Sequence, residues 1–277
     1  MNIMQAFDEI VRTAIADNQE FAAVKTVVEK EILHFDILEE MNAAGYLKDL
    51  TFIGGTCLRD CYKSPRMSED LDFTGGFNFS KDQLKDFSAG LKRLFLDKYG
   101  FPIVVSEPEK ETGNTETWKI KITTRPEKRN FPAQKINIDI CLLPSHRRKS
   151  VWATDFYGLD RQVLMYAESL EEIFADKIIA FARRPNRVKF RDLWDVYYLT
   201  QKRTEFDRDL LLQKLDDRKI AETEFWDLYK RRIAEIEPLQ QDFLFEMRRF
   251  LLPSYFDAQF VSQQWWDALT GIFQSIV

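Results

Sequence analysis

The stretch Phe52-Ile53-Gly54-Gly55-Thr56-Cys57-Leu58-Arg59, followed after a spacer by Arg66-Met67-Ser68-Glu69-Asp70-Leu71-Asp72-Phe73, decides the reading of this chain. Leu50 to Ile53 is a short apolar run broken by a glycine pair, and Leu58, Cys61 and Tyr62 then recur at helical spacing, so the segment reads as strand, tight turn and helix. Asp70 to Phe73 reads as a second strand, closed by the Gly75-Gly76 turn. Alternation along that strand sets Asp70 and Asp72 on one face while Leu71 and Phe73 point into the core. Two carboxylates so placed repel each other unless a cation lies between them. Oxygen ligands of this kind suit Mg²⁺, or Mn²⁺ in its place. The Gly54-Gly55 turn ahead of a helix offers backbone N–H groups to a triphosphate, and Thr56 either adds a hydroxyl donor or caps the helix. A glycine pair alone is commonly just a turn, and an Asp-x-Asp alone a solvated loop. Their ordered combination between Gly54 and Phe73 is far more specific.

Working outward, the N-terminal region carries helix-period apolar residues over 5–15 and 21–41, the second segment with a buried stripe of Phe21, Val24, Val27, Val28, Ile32, Phe35 and Leu38. Ser80 to Gln83 forms a capping-box pattern ahead of a long amphipathic helix, with Leu84, Phe87, Leu91, Leu94 and Phe95 on one stripe and Gly100 at its stop. Between 101 and 143 the period changes to alternation: Ile103-Val104-Val105, Trp118 to Ile122, and Ile136 to Cys141 read as strands, separated by Gly113-Asn114 and by the basic loop Arg125 to Lys135. From Ser169, which makes another Ser-x-x-Glu box with Glu172, the chain reads as wholly helical, with later helices near 207–214, 222–235, 238–251 and 258–276. The expected organisation is α+β: residues 1–165 as a small mixed sheet flanked by helices, then 166–277 as a C-terminal helical domain.

With 277 residues, 45% of them apolar and 31% charged, the chain can bury a sizeable core without disulfide or metal staples. The net charge of −5 argues against a protein that coats nucleic acid over its whole surface, so any polyanion site must be local. Three cysteines without a CxxC pair, and no leader pattern at the start, indicate a reducing cytoplasm. Cys57 and Cys61 read as packing residues, since His34 and His146 lack ligand spacing. No apolar run approaches the roughly 20 residues of a membrane span.

The quoted motifs resemble the nucleotidyltransferase superfamily with a polymerase-β-type core, and within it the AbiEii/AbiGii toxins of abortive-infection and type IV toxin–antitoxin systems. The resemblance runs through Phe52-Ile53-Gly54-Gly55-Thr56 with Leu58, Arg66-x-Ser68-x-Asp70-x-Asp72-Phe73, Leu170 to Ala180, and Arg191-Asp192-Leu193-Trp194-Asp195-Val196-Tyr197. Gly-Gly-Thr stands where the superfamily commonly has Gly-Ser, and the spacer to Asp70 is slightly long. The resemblance implies a polymerase-β-like core followed by a helical domain. It implies transfer of a nucleoside monophosphate from an NTP, with release of pyrophosphate, onto RNA, with tRNA foremost, and control by a separately encoded antitoxin. A protein acceptor, or a non-catalytic nucleotide- or RNA-binding module on the same scaffold, are the other expectations.

The resemblance also assigns roles. Asp70 and Asp72 would hold metal, with Asp139 as third carboxylate, although a strand acid facing water explains Asp139 equally well. Gly54, Gly55, Thr56, Arg66 and Ser68 would meet the nucleotide, although Ser68 reads equally as a turn residue. Lys177, on an otherwise apolar helix face beside Phe174 and Ile178, either snorkels to an edge or meets phosphate. Asp192 and Asp195, at i and i+3, either complete the site or hold Lys177 and Arg66 in place. Two basic clusters stand against the acidic total, His146 to Lys149 and Arg183-Arg184-Arg187-Lys189-Arg191. The second is expected to line an RNA groove, with binding that weakens in salt. Trp118, Trp152 and Tyr157 either stack on bases or belong to the core.

Overall fold

In the computed structural model, residues 3–109, 113–128, 130–257 and 260–276 are described. They fall into two compact units: 1–63 with 67–167, and 64–66 with 168–277. The short segment Ser64–Arg66 thus belongs with the helices of the second unit, which otherwise begins at Glu168.

The first unit is built on a seven-stranded mixed sheet. Its strands are β1 (Thr51–Ile53), β2 (Leu71–Thr74), β3 (Ile103–Ser106), β4 (Thr115–Ile122), β5 (Gln134–Cys141), β6 (Arg148–Thr154) and β7 (Gln162–Glu168), in the order β3-β4-β5-β2-β1-β7-β6. The inner pairings join segments distant in sequence, β2 with β5 and β1 with β7 in parallel, β1 with β2 antiparallel. One sheet face is the core. Phe52 and Phe73 are paired in register with ring centroids 5.0 Å apart, and Trp118, Ile120, Ile136, Ile138 and Ile140 continue the apolar layer. Helix α4 (Phe87–Tyr99) contributes Phe87, Leu91 and Phe95 and ends on Gly100, whose φ of 68° provides the left-handed C-cap. The Ser80/Gln83 capping box is formed, but it caps the 3₁₀ turn Lys81–Leu84, and α4 starts only at Phe87.

Helices α1 (Ile3–Asp17) and α2 (Lys25–Ala43) precede the sheet, separated by the 3₁₀ turn Gln19–Val24. α2 departs from the expected single apolar stripe: Glu29, Glu31, His34 and Asp36 are buried along with Val28, Ile32 and Phe35. Each buried acid carries its own set of donors. Arg125 holds Glu29 at 2.7 Å, and Asp36 receives Lys98 at 2.6 Å, Arg161 at 2.8 Å and the Tyr99 hydroxyl at 2.9 Å. Glu31 accepts from Arg59 at 3.2 Å, from the Ser68 backbone N–H at 2.8 Å and from the Tyr157 hydroxyl. Such pairs add little net stability when complete, but losing one partner strands a buried charge. They also pin the loop before β2 to the sheet's central helix.

His34 is fully enclosed. Its Nε2 lies 3.1 Å from the Glu69 carbonyl and its Nδ1 finds no partner, so burial pushes its pKa down from 6.5 to about 3 and the ring stays neutral. The unfolded chain therefore binds a proton that the folded chain refuses. Stability is complete above pH 6.5 and is expected to decline as pH falls from 6.5 towards 3, by up to about 1.4 kcal/mol per pH unit from this group. Urea unfolding of His34→Gln should show a shallower pH slope in that window; a slope equal to that of the parent chain counts against His34 as its source.

The second unit is helical: α5 (Leu170–Arg183), α6 (Phe190–Gln201), α7 (Arg208–Asp217), α8 (Glu222–Ala234), α9 (Gln240–Met247) and α10 (Gln263–Gln274). The expected helix start at 258 lies outside the described residues. Ser169 caps α5 by accepting from the Glu172 N–H, as its sequence box anticipates. Phe174, Ile178, Phe181, Leu193, Tyr229, Trp266 and Phe273 form the core. Within it Lys214 is ringed by Glu168 at 3.1 Å, Glu172 at 2.9 Å and Asp176 at 2.8 Å. Burial, then the charge of Asp176, pushes the Glu168 pKa well above the usual carboxylate range, and Arg218 adds a second cation 2.9 Å from Asp176. No helix among the described residues is long and apolar enough to cross a membrane.

Candidate active site

In the first unit the candidate site grows from the pairing of β2 with β5. Asp72 stands opposite Asp139 in the parallel register, and Asp139 stands opposite Thr117 of β4, whose hydroxyl donates to Asp139 Oδ1 at 2.6 Å. All three therefore lie on the solvent-side face of the sheet, each half-buried. Two like charges directly opposite each other destabilise a sheet, and the arrangement is the oxygen-only donor pair that a hard divalent cation relieves.

Asp70 is placed differently from the sequence expectation. β2 begins at Leu71, so Asp70 does not alternate with Asp72 along a strand; its Oδ1 accepts the Asn137 backbone N–H at 3.1 Å. Across the sheet, Asp72 stands opposite Asp139. Ser68 likewise lies outside the strand and is buried, its N–H committed to Glu31. Among the described residues no three His, Cys, Asp or Glu side chains gather closely enough to form a ready-made metal cage.

The glycine turn meets these acids directly. Gly54 has φ +77° and opens helix α3 (Gly54–Asp60); a Cβ there would lie 2.7 Å from Asp72 Oδ2. Only glycine fits, because the left-handed backbone and the carboxylate both exclude a side chain. The Thr56 side chain is fully buried and its hydroxyl donates to the Asp70 carbonyl, tying the turn to the start of β2. Gly54→Ala is expected to cost about 2 kcal/mol from the backbone alone and to displace Asp72, lowering the melting temperature and any activity together. Unchanged thermal unfolding of this variant would refute the close approach.

A second cluster belongs to the helical unit. Arg66 grips Asp195 through two bonds, Nε to Oδ1 at 2.7 Å and Nη2 to Oδ2 at 2.9 Å, with both side chains buried. Lys177 Nζ lies 2.7 Å from Asp195 Oδ2 and 3.2 Å from Asp192 Oδ1, and Arg184 reaches Asp192 Oδ2 at 3.1 Å. Burial acts to lower the Lys177 pKa, but Asp195 and then Asp192 outweigh it and hold the ammonium above its ordinary value. Asp192 is held below the usual carboxylate range: burial acts to raise it, while Lys177 and Arg184 prevail. The i, i+3 spacing in α6 does place both acids on one face, and Asp195 acts on Lys177 and Arg66 as their anchor.

The Arg183–Arg191 cluster, expected to be an open groove, is largely matched: Arg183 meets Glu224 at 3.3 Å, Arg184 meets Asp192, Arg187 lies 3.9 Å from Glu246, and Arg191 sits over the Phe250 ring. Trp118 and Tyr157 are core residues, whereas Trp152 is 55% exposed. The sequence reading passed over Lys119, Lys121 and Lys135. Alternation sets Lys119 and Lys121 on the face of Thr117, Lys121 pairs with Lys135 across β4 and β5, and all three are exposed with no ion pair among the described residues. Alternation in Thr117-Trp118-Lys119-Ile120-Lys121 was the available signal; what hid it was the unknown face of Asp139.

A mixed sheet with paired strand carboxylates beside a glycine turn, followed by a helical unit, is the layout of a nucleotidyltransferase. The chain belongs to the family described as "Nucleotidyl transferase AbiEii toxin, Type IV TA system", which it matches over residues 36–269. Two solved Helicobacter pylori structures resemble it. One is titled "putative nucleotidyltransferase", with 19% identity over 90% of this chain and 93% of that one and a TM-score of 0.51. The other is JHP933, with 17% identity over 90% of each chain and a TM-score of 0.48. No curated protein matches the chain.

Proposed function

We propose that this nucleotidyltransferase moves a nucleoside monophosphate from an NTP to an RNA hydroxyl, with the tRNA acceptor end as the foremost substrate, as the cytoplasmic toxin of a pair whose antitoxin is encoded separately. The observation that carries the reading is Asp72 opposite Asp139 on one sheet face, packed against the Gly54 turn. The donor chemistry fits Mg²⁺ or Mn²⁺, with Asp72 and Asp139 as the groups that would hold it and phosphate or water oxygens completing its shell. Such an ion, when bound, supplies positive charge at the α-phosphate and at the leaving pyrophosphate.

The residues supply the rest. The acceptor oxygen attacks the α-phosphorus, the bond from that phosphorus to the bridging oxygen of the β-phosphate breaks, and pyrophosphate departs; the hydroxyl proton passes to a carboxylate of the Asp72/Asp139 pair. Gly54 and Gly55 are assigned to the phosphates through backbone N–H groups, and Thr56 and Ser68 hold the turn and loop that carry them. Lys177 stays charged at any working pH and is assigned to phosphate binding. Arg66, Asp192 and Asp195 are positioning residues for it.

The test incubates the full chain with Mg²⁺, each α-labelled NTP in turn, and total tRNA. Label in RNA, lost in Asp72→Ala, is expected. Label in protein instead would make a polypeptide the acceptor. Label in neither, with wild type equal to Asp72→Ala, would sink the catalytic reading and leave a binding module.

A further inference from the structure

Nothing in the proposed chemistry uses the outward face of the β6–β7 hairpin, and that face is unusual in composition. Its outward positions are Arg148, Ser150, Trp152 and Thr154 on β6, and Gln162, Leu164 and Tyr166 on β7, because Val163, Met165 and Ala167 are buried on the other side. The Arg148 guanidinium lies over the Tyr166 ring, 4.2 Å from its centroid, which ties the two sets to one face. Trp152 is 55% exposed and Leu164 48%. None of these outward positions carries an acid.

Strand register relates this face to the acids. Tyr166 pairs with Thr51, Thr51 pairs with Thr74, and Thr74 is two residues from Asp72 on β2. Residues opposite one another across paired strands share a face, so Tyr166, Arg148 and Trp152 lie on the face of Asp72 and Asp139. Three strand spacings separate β2 from β6, roughly 14 Å. A large indole left in water on a face that carries Arg148 and, among these positions, no acid suits a ligand with both π-faces and negative charge. An acidic peptide lacks the first and a lipid tail lacks the second.

Resting on the RNA acceptor proposed above, we propose that this hairpin face seats the single-stranded end of that RNA, its bases stacked on Trp152 and on the Arg148–Tyr166 pair and its phosphates beside Arg148.

The test measures binding of a short fluorescein-labelled single-stranded RNA to the full chain, with ATP–Mg²⁺ protection against thermal unfolding as a separate readout. Trp152→Ala is expected to weaken RNA binding about tenfold and Trp152→Phe to keep most of it, since a ring remains to stack on. Arg148→Glu should weaken binding and make its salt dependence shallower by about one unit of slope. All three should unfold like wild type and keep ATP protection, because the altered side chains face solvent. If wild type binds and labels RNA but Trp152→Ala and Arg148→Glu bind it equally well, the hairpin assignment is overturned while the RNA reading stands. If polyglutamate competes as well as RNA, the stacking surface is likewise overturned. If wild type neither binds nor labels RNA, both fall, and retained ATP protection then separates that outcome from a misfolded protein.

Discussion

Asp139→Asn is expected to lower nucleotide transfer by about a thousandfold while leaving the melting temperature unchanged or a few degrees higher. Asn keeps an oxygen where Asp139 Oδ1 accepts the Thr117 hydroxyl at 2.6 Å, so the local hydrogen bond survives. What disappears is one of two like charges that the register sets directly opposite each other. On the proposed mechanism Asp139 holds a catalytic cation, and losing such a carboxylate removes several kcal/mol of transition-state stabilisation, hence the size of the fall. Activity and unfolding must be measured on the same preparation. Transfer within tenfold of wild type would reject Asp139 as a metal ligand or base. A large loss of stability would mean instead that the residue is an ordinary structural acid.

Asp195→Ala is expected to have the largest effect on stability, about 4 kcal/mol. The variant removes the carboxylate shared by Arg66 and Lys177, whose cationic groups lie 2.7 Å from Asp195 oxygens in a buried setting, and leaves Asp192 at 3.2 Å to Lys177. Removing one member of a buried charge network leaves the others desolvated without compensation, which costs more than the intact network contributes. For a chain of this size that corresponds to roughly 10 °C in melting temperature. Asp195→Asn should recover part of the loss by keeping one acceptor. A melting temperature within 2 °C of wild type for the alanine variant, roughly half a kcal/mol, would overturn the anchoring role. The pairing also bears on position 66: Arg66→Lys keeps the charge but cannot make two parallel bonds, so it should be intermediate.

The parts of the fold that were legible are those specified by neighbours in sequence. The Gly54-Gly55 turn between β1 and α3, the Gly100 stop of α4, the Ser169 cap of α5 and the alternation in β4 and β5 are each written within a few residues. The β6–β7 hairpin was missed for a specific reason. Trp152, Leu164 and Tyr166 occupy outward positions, so the apolar–polar contrast that marks a half-buried strand is erased where the protein presents apolar groups to solvent. α2 was read as amphipathic because its acids look like a solvated face; their partners Arg125, Arg59, Lys98 and Arg161 come from remote segments.

The same division runs through the site. Residue types and spacing along the chain specified the glycine turn, the aspartates that follow it, and the Lys177 and Asp192/Asp195 helices, because these are local motifs with a chemistry of their own. Which acids stand together was decided by strand pairing. Asp72 meets Asp139 through the parallel register of β2 with β5, while Asp70 turns to the backbone of Asn137. Pairing between segments this far apart is fixed by burial of the apolar sheet face, where Phe73 and Ile140 must lie side by side. That constraint sets the opposite face as its consequence. The carboxylates, the lysines of β4 and β5 and the aromatic hairpin therefore share one surface for a reason no local stretch of sequence contains.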